Sequence, residues 1–104
     1  MLTLNQIINI YRKGVEIKFK RKSKDKETKG EYDPSTLEAI VYVNNNKSKD
    51  DRDVTIIHEL IHSRDDLRGK RLYSEGEVEK EAIETYQKRR YVLMLIKELY
   101  KLRI

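Results

Sequence analysis

The sequence contains two histidines, and both belong to one short motif, His58-Glu59-Leu60-Ile61-His62. On an α-helix, residues four apart lie on one face, so His58 and His62 could each direct a ring nitrogen at one metal ion about 2.0–2.1 Å away. Glu59 would lie at the edge of that face, where it can reach water at the metal without being a ligand. The spacing predicts a zinc site with His58 and His62 as metal ligands and Glu59 as the catalytic base.

The residues around the motif favour a buried helix. Apolar and β-branched residues fill positions 54–57 and continue at Leu60 and Ile61. Buried histidines need polar partners, which a metal ion would supply. The alternative is a surface pair of helical histidines, with Glu59 in a salt bridge. Because the chain has no cysteine, a Cys-type structural zinc site is excluded, and a metal held here would keep an open position for water or substrate.

Length and composition predict one soluble domain spanning residues 1–104. The chain is long enough for a hydrophobic core but too short for separate catalytic and specificity domains. Charged residues make up 39% of it, and no uncharged apolar run is long enough to span a membrane. The first residues lack the basic region of a signal peptide, so we expect a cytoplasmic protein. Abundant Lys and Glu, without cysteine, are compatible with a thermophilic source.

A net charge of +5 raises the question of nucleic-acid binding. The basic residues are concentrated in one segment: Lys18, Lys20, Arg21, Lys22, Lys24 and Lys26. Phe19 is the one aromatic residue within that segment, whereas nucleic-acid surfaces interleave several aromatic and basic side chains. The segment is equally typical of an exposed strand end and loop. A small basic nucleic-acid-binding protein therefore stays an alternative and is not the main prediction.

The N-terminal residues predict an amphipathic helix. Thr3-Leu4-Asn5-Gln6 has the form of a capping box, with Leu2 and Ile7 placed as a hydrophobic staple. The helix should begin near Leu4 and end at Gly14. The predicted buried stripe is Leu4, Ile7, Ile8 and Tyr11.

Two strands are predicted after this helix. Residues 15–20 alternate apolar and charged side chains, as in a strand with one face on the core. Residues 37–43 are rich in β-branched side chains and end at three asparagines. Between them, residues 21–34 are charged and rich in turn formers, which predicts a mobile loop or a wide hairpin connection.

Two further helices complete the chain. Aspartates at positions 50, 51 and 53 and arginines at 64 and 68 complement a helix dipole and predict the motif helix at roughly 50–65, with a connection at 65–72. Ser74-Glu75-Gly76-Glu77 forms a second capping box, with Tyr73 and Val78 as its staple, and opens a helix reaching about Lys101. Its predicted apolar side is Val78, Ala82, Tyr86, Leu93, Ile96 and Tyr100. These elements predict an α+β fold, with a small antiparallel or mixed sheet packed on the helices.

A catalytic zinc ion needs a third protein ligand, which must here be a carboxylate. The last helix offers Glu75, Glu77, Glu79, Glu81 and Glu84. Asp65, seven residues after His58, shares the histidine face and is a minor alternative. The metzincin pattern would require Gly at 65 and His at 68; this chain has Asp65 and Arg68, which excludes that class.

The motif together with the downstream segment Glu81-Ala82-Ile83-Glu84 resembles the gluzincin clan of metallopeptidases. The length and the order of elements resemble the minigluzincins, which share a minimal zincin-like scaffold with some membrane metallopeptidases. The resemblance implies that Glu81 is the third metal ligand. Glu77 and Glu84 share its helical face and stay alternatives, and all three could also be ordinary surface charges.

Two features depart from the gluzincin pattern. Larger gluzincins often use a further histidine to stabilise the oxyanion, and this chain has none left. The role would fall to a residue that the sequence does not rank: Tyr73, Tyr86, Tyr91 or Arg89. Arg64 also stands where an apolar residue is usual, so we expect the motif helix to end or surface early.

The main functional prediction is a zinc-dependent endopeptidase acting on peptides or unfolded proteins. Residues 38–43 could form the edge strand of the cleft, to which a substrate adds as a further strand. A catalytically silent, metal-bound regulatory scaffold is the alternative within the same site.

The C-terminal residues suggest latency. Residues 91–96 are consecutively apolar and so face every side of a helix. We therefore predict that this segment covers the cleft or packs against a second copy, in a homo-oligomer, giving a zymogen-like, low-activity form. Some minigluzincins are found in such latent forms. The alternative is that these residues complete the core.

Overall fold

The computed structural model of the chain describes residues 1–23, 25–70 and 74–103. In chain order its elements are α1 (Leu4–Arg12), β1 (Glu16–Lys20), β2 (Gly30–Asp33), β3 (Glu38–Tyr42), a short 3-10 helix (Val43–Asn45), α2 (Lys49–Leu67), α3 (Glu75–Lys88) and α4 (Arg90–Leu99). Helices packed with a small mixed sheet confirm the predicted α+β fold. Lys24 of the basic segment, and residues 71–73 with Tyr73 of the predicted staple, lie outside the described residues.

β3 is the central strand of the sheet, whose order is β1-β3-β2. It pairs in parallel with β1, placing Glu16 opposite Glu38, and antiparallel with β2, placing Gly30 opposite Val41. The prediction that residues 38–43 form an edge strand is therefore wrong. β1 and β2 are the two edge strands, and β2 is the one that borders the cavity described below.

β2 lies inside the segment 21–34, for which a mobile loop or a wide hairpin connection is predicted. Its sequence has no apolar alternation, and Tyr32 alone of its residues packs against the hydrophobic core. Backbone hydrogen bonds to β3 make it a strand, and Asn46 fixes its start. The Asn46 amide donates to the carbonyl oxygens of Lys29 at 3.1 Å and of Tyr42 at 2.7 Å. β2 therefore forms through contacts with β3 and Asn46, not through a pattern in its own sequence.

α1 begins as predicted. The Thr3 hydroxyl accepts a hydrogen bond from the backbone of Gln6 at 3.2 Å, and the Gln6 side chain accepts one from the backbone of Thr3 at 3.0 Å. The buried stripe differs from the prediction: Ile7 and Ile10 are buried, while Leu4 and Tyr11 are 40% and 45% exposed. The stripe is shifted because α1 packs against both α2 and α4.

α2 is the central helix. The sheet packs on one side of it, and α1 and α3 pack on the others. Its fully buried apolar side chains are Ile56, Ile57, Leu60 and Ile61. The helix begins after Ser48, whose hydroxyl accepts from the Asp51 backbone at 3.1 Å, and runs to Leu67. The expectation that Arg64 ends or surfaces the helix early is wrong, because ion pairs hold this side chain half-buried.

The last predicted helix is two helices. Ser74 caps α3 as predicted, but α3 ends at Lys88, and Arg89 adopts φ −133° and ψ 57° before α4 begins. No glycine or proline marks the break. α4 turns back to pack against α1 and α3, and it buries Val92, Leu93 and Ile96 in the core.

α4 does not cover the cleft described below, so the predicted intramolecular cover is wrong for the described residues. Val92, Leu93 and Ile96 complete the core, whereas Tyr91 and Met94 are exposed. Packing against a second copy stays a prediction. Among the described residues, every helix is too short or too polar to cross a bilayer.

Candidate metal centre

α2 brings the two histidines of the motif together. His58 and His62 lie one helical turn apart, and their Nε2 atoms are 3.2 Å from each other. Two ligands of a tetrahedral zinc ion at 2.0–2.1 Å are separated by about 3.3 Å. Burial lowers the pKa of His62 below its ordinary value, against the raising effect of Glu75, and so favours the neutral imidazole that binds metal. The pair therefore fits two ligands of one zinc ion.

Glu75 supplies a carboxylate to this pair. One of its oxygens is 2.9 Å from Nε2 of His58, and the other is 2.9 Å from Nε2 of His62. Glu75 is the first residue of α3, directly after the capping residue Ser74. Two histidines and one carboxylate are the donor set of a hydrolytic zinc site, so the residues present fit the metal.

Glu79 approaches the same site from one turn further along α3. Its Oε1 atom is 3.4 Å from Nδ1 of His58, the ring nitrogen that faces away from Glu75. Metal-binding histidines commonly donate this second N–H to a carboxylate, which fixes the tautomer and the orientation of the ring. Glu79 stands where such an orienting partner would be.

Glu59 is the third member of the motif and is 4% exposed. One of its carboxylate oxygens lies within 4.8 Å of ligand atoms of both His58 and His62. It forms no hydrogen bond or ion pair with the described residues. Burial, and then the negative charge of Glu75 and of further carboxylates, raises the pKa of Glu59 to about 8. A carboxyl group with a pKa this close to neutral pH can both take up and release a proton there.

These side chains line a cavity of about 480 Å³ between β2, α2 and α3. β2 and the residue before it contribute Lys29, Gly30, Glu31 and Tyr32. A volume of this size is typical of a ligand site. A β-carbon at Gly30 would lie 2.7 Å from Thr55 Cγ2 and 3.1 Å from Glu59 Cγ, so the absence of a side chain lets β2 approach the motif.

The structure does not bring Glu81, predicted as the third ligand, to the histidines. Its carboxylate is held by Arg64, whose Nη2 atom is 3.0 Å from Oε1, and it does not line the cavity. Asp65 binds Arg64 as well, at 3.0 Å from Nε. Glu77 and Glu84 also lie outside the cavity lining. Glu75, and none of these carboxylates, lies beside the two histidines, where a third ligand would be.

The candidates for oxyanion stabilisation are also placed elsewhere. The Tyr86 hydroxyl donates to Asp50, and Tyr91 and Arg89 do not line the cavity. Tyr73 lies outside the described residues. Tyr32, which sequence reasoning left in a loop, does line the cavity, and its hydroxyl donates to Asp66 at 3.0 Å.

Glu75 and Glu79 are among the carboxylates that the sequence offers, but the resemblance to gluzincins points to Glu81 instead. The available signal was their spacing of four residues at the start of a capped helix, which places both on one helical face. Gly30 carried a weaker signal, because a glycine among polar residues is equally typical of a turn.

No family model matches the chain, and neither the curated proteins nor the solved structures include one that is significantly similar to it. The resemblance to the minigluzincins therefore stays a prediction. The site itself is defined by its geometry: two histidines and a carboxylate that face one point, beside a buried glutamate.

Proposed function

We propose that the protein is a zinc-dependent peptidase in which His58, His62 and Glu75 hold the metal. One observation carries the proposal: the two Nε2 atoms and the Glu75 carboxylate converge within 3.2 Å of one another, beside the buried carboxylate of Glu59. Zn²⁺ bound there would supply a Lewis acid that acidifies water and polarises a carbonyl group.

Glu59 is the general base in this proposal. Its carboxylate takes a proton from the attacking water and later gives it to the leaving amine. The site supports this role because Glu59 faces the cavity and has no competing partner among the described residues. Glu79 holds the His58 ring, as orienting carboxylates do in other metal sites.

β2 is the proposed substrate-binding edge. One side of the strand is paired with β3, and residues Gly30 to Tyr32 also line the cavity. A peptide could therefore add to the free side through main-chain hydrogen bonds, which give affinity with broad sequence tolerance. This role was predicted for residues 38–43, and β2 takes it because β3 is enclosed between two strands.

The test is hydrolysis of a quenched fluorescent peptide by zinc-loaded protein, with and without chelator. Activity should disappear with chelator and return with zinc. Glu59→Gln should keep about one zinc per chain and lose roughly 10²–10⁴-fold in rate, the range for a positioned acid–base group. Loss of zinc from Glu59→Gln would remove Glu59 from the role of base.

The same experiment distinguishes the proposed peptidase from the alternative, a catalytically silent protein that binds metal. Stoichiometric zinc binding without hydrolysis of any peptide in a mixed library would favour a metal-bound regulatory scaffold. Latency through a second copy is tested by dilution, which should raise the activity per mole if self-association blocks the cleft.

A further inference from the structure

The cavity has a charge opposite to that of the chain. The chain carries a net +5, yet the described residues lining the cavity include five glutamates and one lysine. The glutamates are Glu27, Glu31, Glu59, Glu75 and Glu79. Lys29 is itself paired with Asp51, at 2.8 Å. Even with a divalent ion bound, the carboxylates of the cavity outnumber its positive charges. A cleft lined by charges of one sign concentrates their electrostatic field.

A second observation points to a positively polarised occupant. Glu59 is 96% buried (4% exposed), faces the cavity and has no hydrogen-bond or ion-pair partner among the described residues. A buried carboxyl group without a hydrogen-bond partner is costly whether it is charged or neutral. The cavity is therefore suited to a guest that brings positive charge or hydrogen-bond donors.

Glu31 is the charged residue of β2 placed to contact a substrate side chain at the strand edge. Because successive residues of a strand project to opposite faces, its side chain lies on the face of the sheet away from Gly30 and Glu59, beside Tyr42. Glu31 lies on β2, next to Gly30, and is exposed. Its Oε1 atom accepts a hydrogen bond from the Tyr42 hydroxyl, a contact that positions the carboxylate without neutralising it. Glu31 also lines a second cavity together with Lys20 and Lys22, but neither lysine is ion-paired with it in the described part of the chain.

We propose that the cleft selects peptides with a lysine or arginine side chain beside Glu31, which acts as the specificity-determining residue. A peptide added to β2 would place one residue opposite Glu31, and paired residues of adjacent strands project to the same face. An opposite-charge pair then forms across the two strands. This inference rests on the proposed function, because it assigns the substrate class of that site.

The test compares two quenched fluorescent peptides of one sequence, with lysines on both sides of the cleaved bond in the first and glutamines in the second. The wild-type protein should have the higher kcat/KM for the lysine peptide, by a margin that shrinks with added salt. Glu31→Gln should reduce kcat/KM for that peptide by about twofold to fivefold, the range for an opposite-charge cross-strand pair, and leave the glutamine peptide unchanged. Glu98→Gln, at an exposed position on α4, is the matched control.

Equal kcat/KM for the two peptides in the wild type, or an equal loss in Glu98→Gln, would overturn the inference while leaving peptidase activity intact. A second measurement applies if the protein hydrolyses neither peptide: binding of both peptides to zinc-loaded Glu59→Gln, followed by fluorescence anisotropy. If neither peptide is hydrolysed but the lysine peptide binds more tightly, and Glu31→Gln removes that difference, the selectivity stands and the peptidase function fails. Equal binding with no hydrolysis removes both.

Discussion

Gly30 and Glu59 lie so close that a β-carbon at position 30 would be 3.1 Å from Glu59 Cγ. The same atom would be 2.8 Å from the carbonyl oxygen of Ile40, which belongs to the backbone of β3 and cannot swing aside. Gly30→Ala should therefore move the edge strand away from the motif. We expect a loss of about 1–3 kcal/mol in the free energy of unfolding, as for other overpacked sites, together with reduced kcat/KM.

Gly76→Ala is the control for that substitution. Gly76 lies in α3, and among the described residues its β-carbon would meet only the Ser74 hydroxyl, at an ordinary 3.6 Å. Replacing a helical glycine by alanine should stabilise the protein by up to about 1 kcal/mol. Urea unfolding of both variants gives the comparison, and a Gly30→Ala protein as stable as the wild type would contradict the close approach.

Glu75 and Glu81 should differ in their effect on zinc binding. Glu75→Gln removes a proposed ligand, so its loss of zinc affinity should exceed the roughly 10–100-fold typical of an outer partner. Glu81→Gln removes the charge that pairs with Arg64 and should leave zinc affinity nearly unchanged. Competition with a chromogenic chelator measures both constants. The reverse order would restore Glu81 as the third ligand.

Substitution of a buried residue of α4 should destabilise the protein without activating it. Ile96 is fully buried, so Ile96→Ala should cost about 2–5 kcal/mol in the free energy of unfolding. Met94 is 68% exposed, and Met94→Ala should stay within about 0.5 kcal/mol of the wild type. Peptidase activity per folded molecule should not rise in Ile96→Ala, because α4 does not line the cavity. A clear rise in Ile96→Ala would indicate that α4 restrains the site.

Asp51 should make stability depend on acid pH. Burial raises the pKa of its carboxyl group, but hydrogen bonds from Lys29 and Lys47 outweigh burial, and the pKa lies below its ordinary value of 3.8. A carboxylate with a lowered pKa in the folded state stabilises the protein above the ordinary pKa, and this contribution is lost as pH falls through the folded-state pKa. The difference in Tm between wild type and Asp51→Asn should therefore be largest near neutral pH and shrink below pH 3.8.

That pH series is measured on metal-free protein in chelator, so that loss of zinc does not contribute. Glu98→Gln, exposed on α4, should have the pH profile of the wild type. A difference between wild type and Asp51→Asn that stays constant down to pH 3 would refute the role of the carboxylate charge.

The features predicted correctly from sequence are local ones. Thr3 and Ser74 cap their helices through contacts within three residues, and the motif fixes the spacing of His58 and His62 inside a single helix. Such contacts join residues only three or four positions apart in the chain. The capped helix starts and the relation of the two histidines could therefore be predicted before any tertiary contact was known.

The features that were missed depend on distant partners. β2 is formed by its hydrogen bonds to β3, and the turn at Arg89 places α4 against α1. The choice among the carboxylates of α3 depended on how α3 crosses α2, which no pattern within α3 records. Arg64 decided against Glu81 in the same way, by holding its carboxylate from another helix.

The turn at Arg89 also determines the shape of the molecule. A continuous helix over residues 75–99 would be a rod of about 38 Å at 1.5 Å per residue. The protein is only 31 Å in its longest dimension. An unbroken rod would extend beyond the rest of the fold and leave Val92 and Ile96 in water. Because α4 folds back onto the rest of the protein, the molecule is shorter and thicker than it would be with one long helix. This short chain thereby encloses its own core without a second domain.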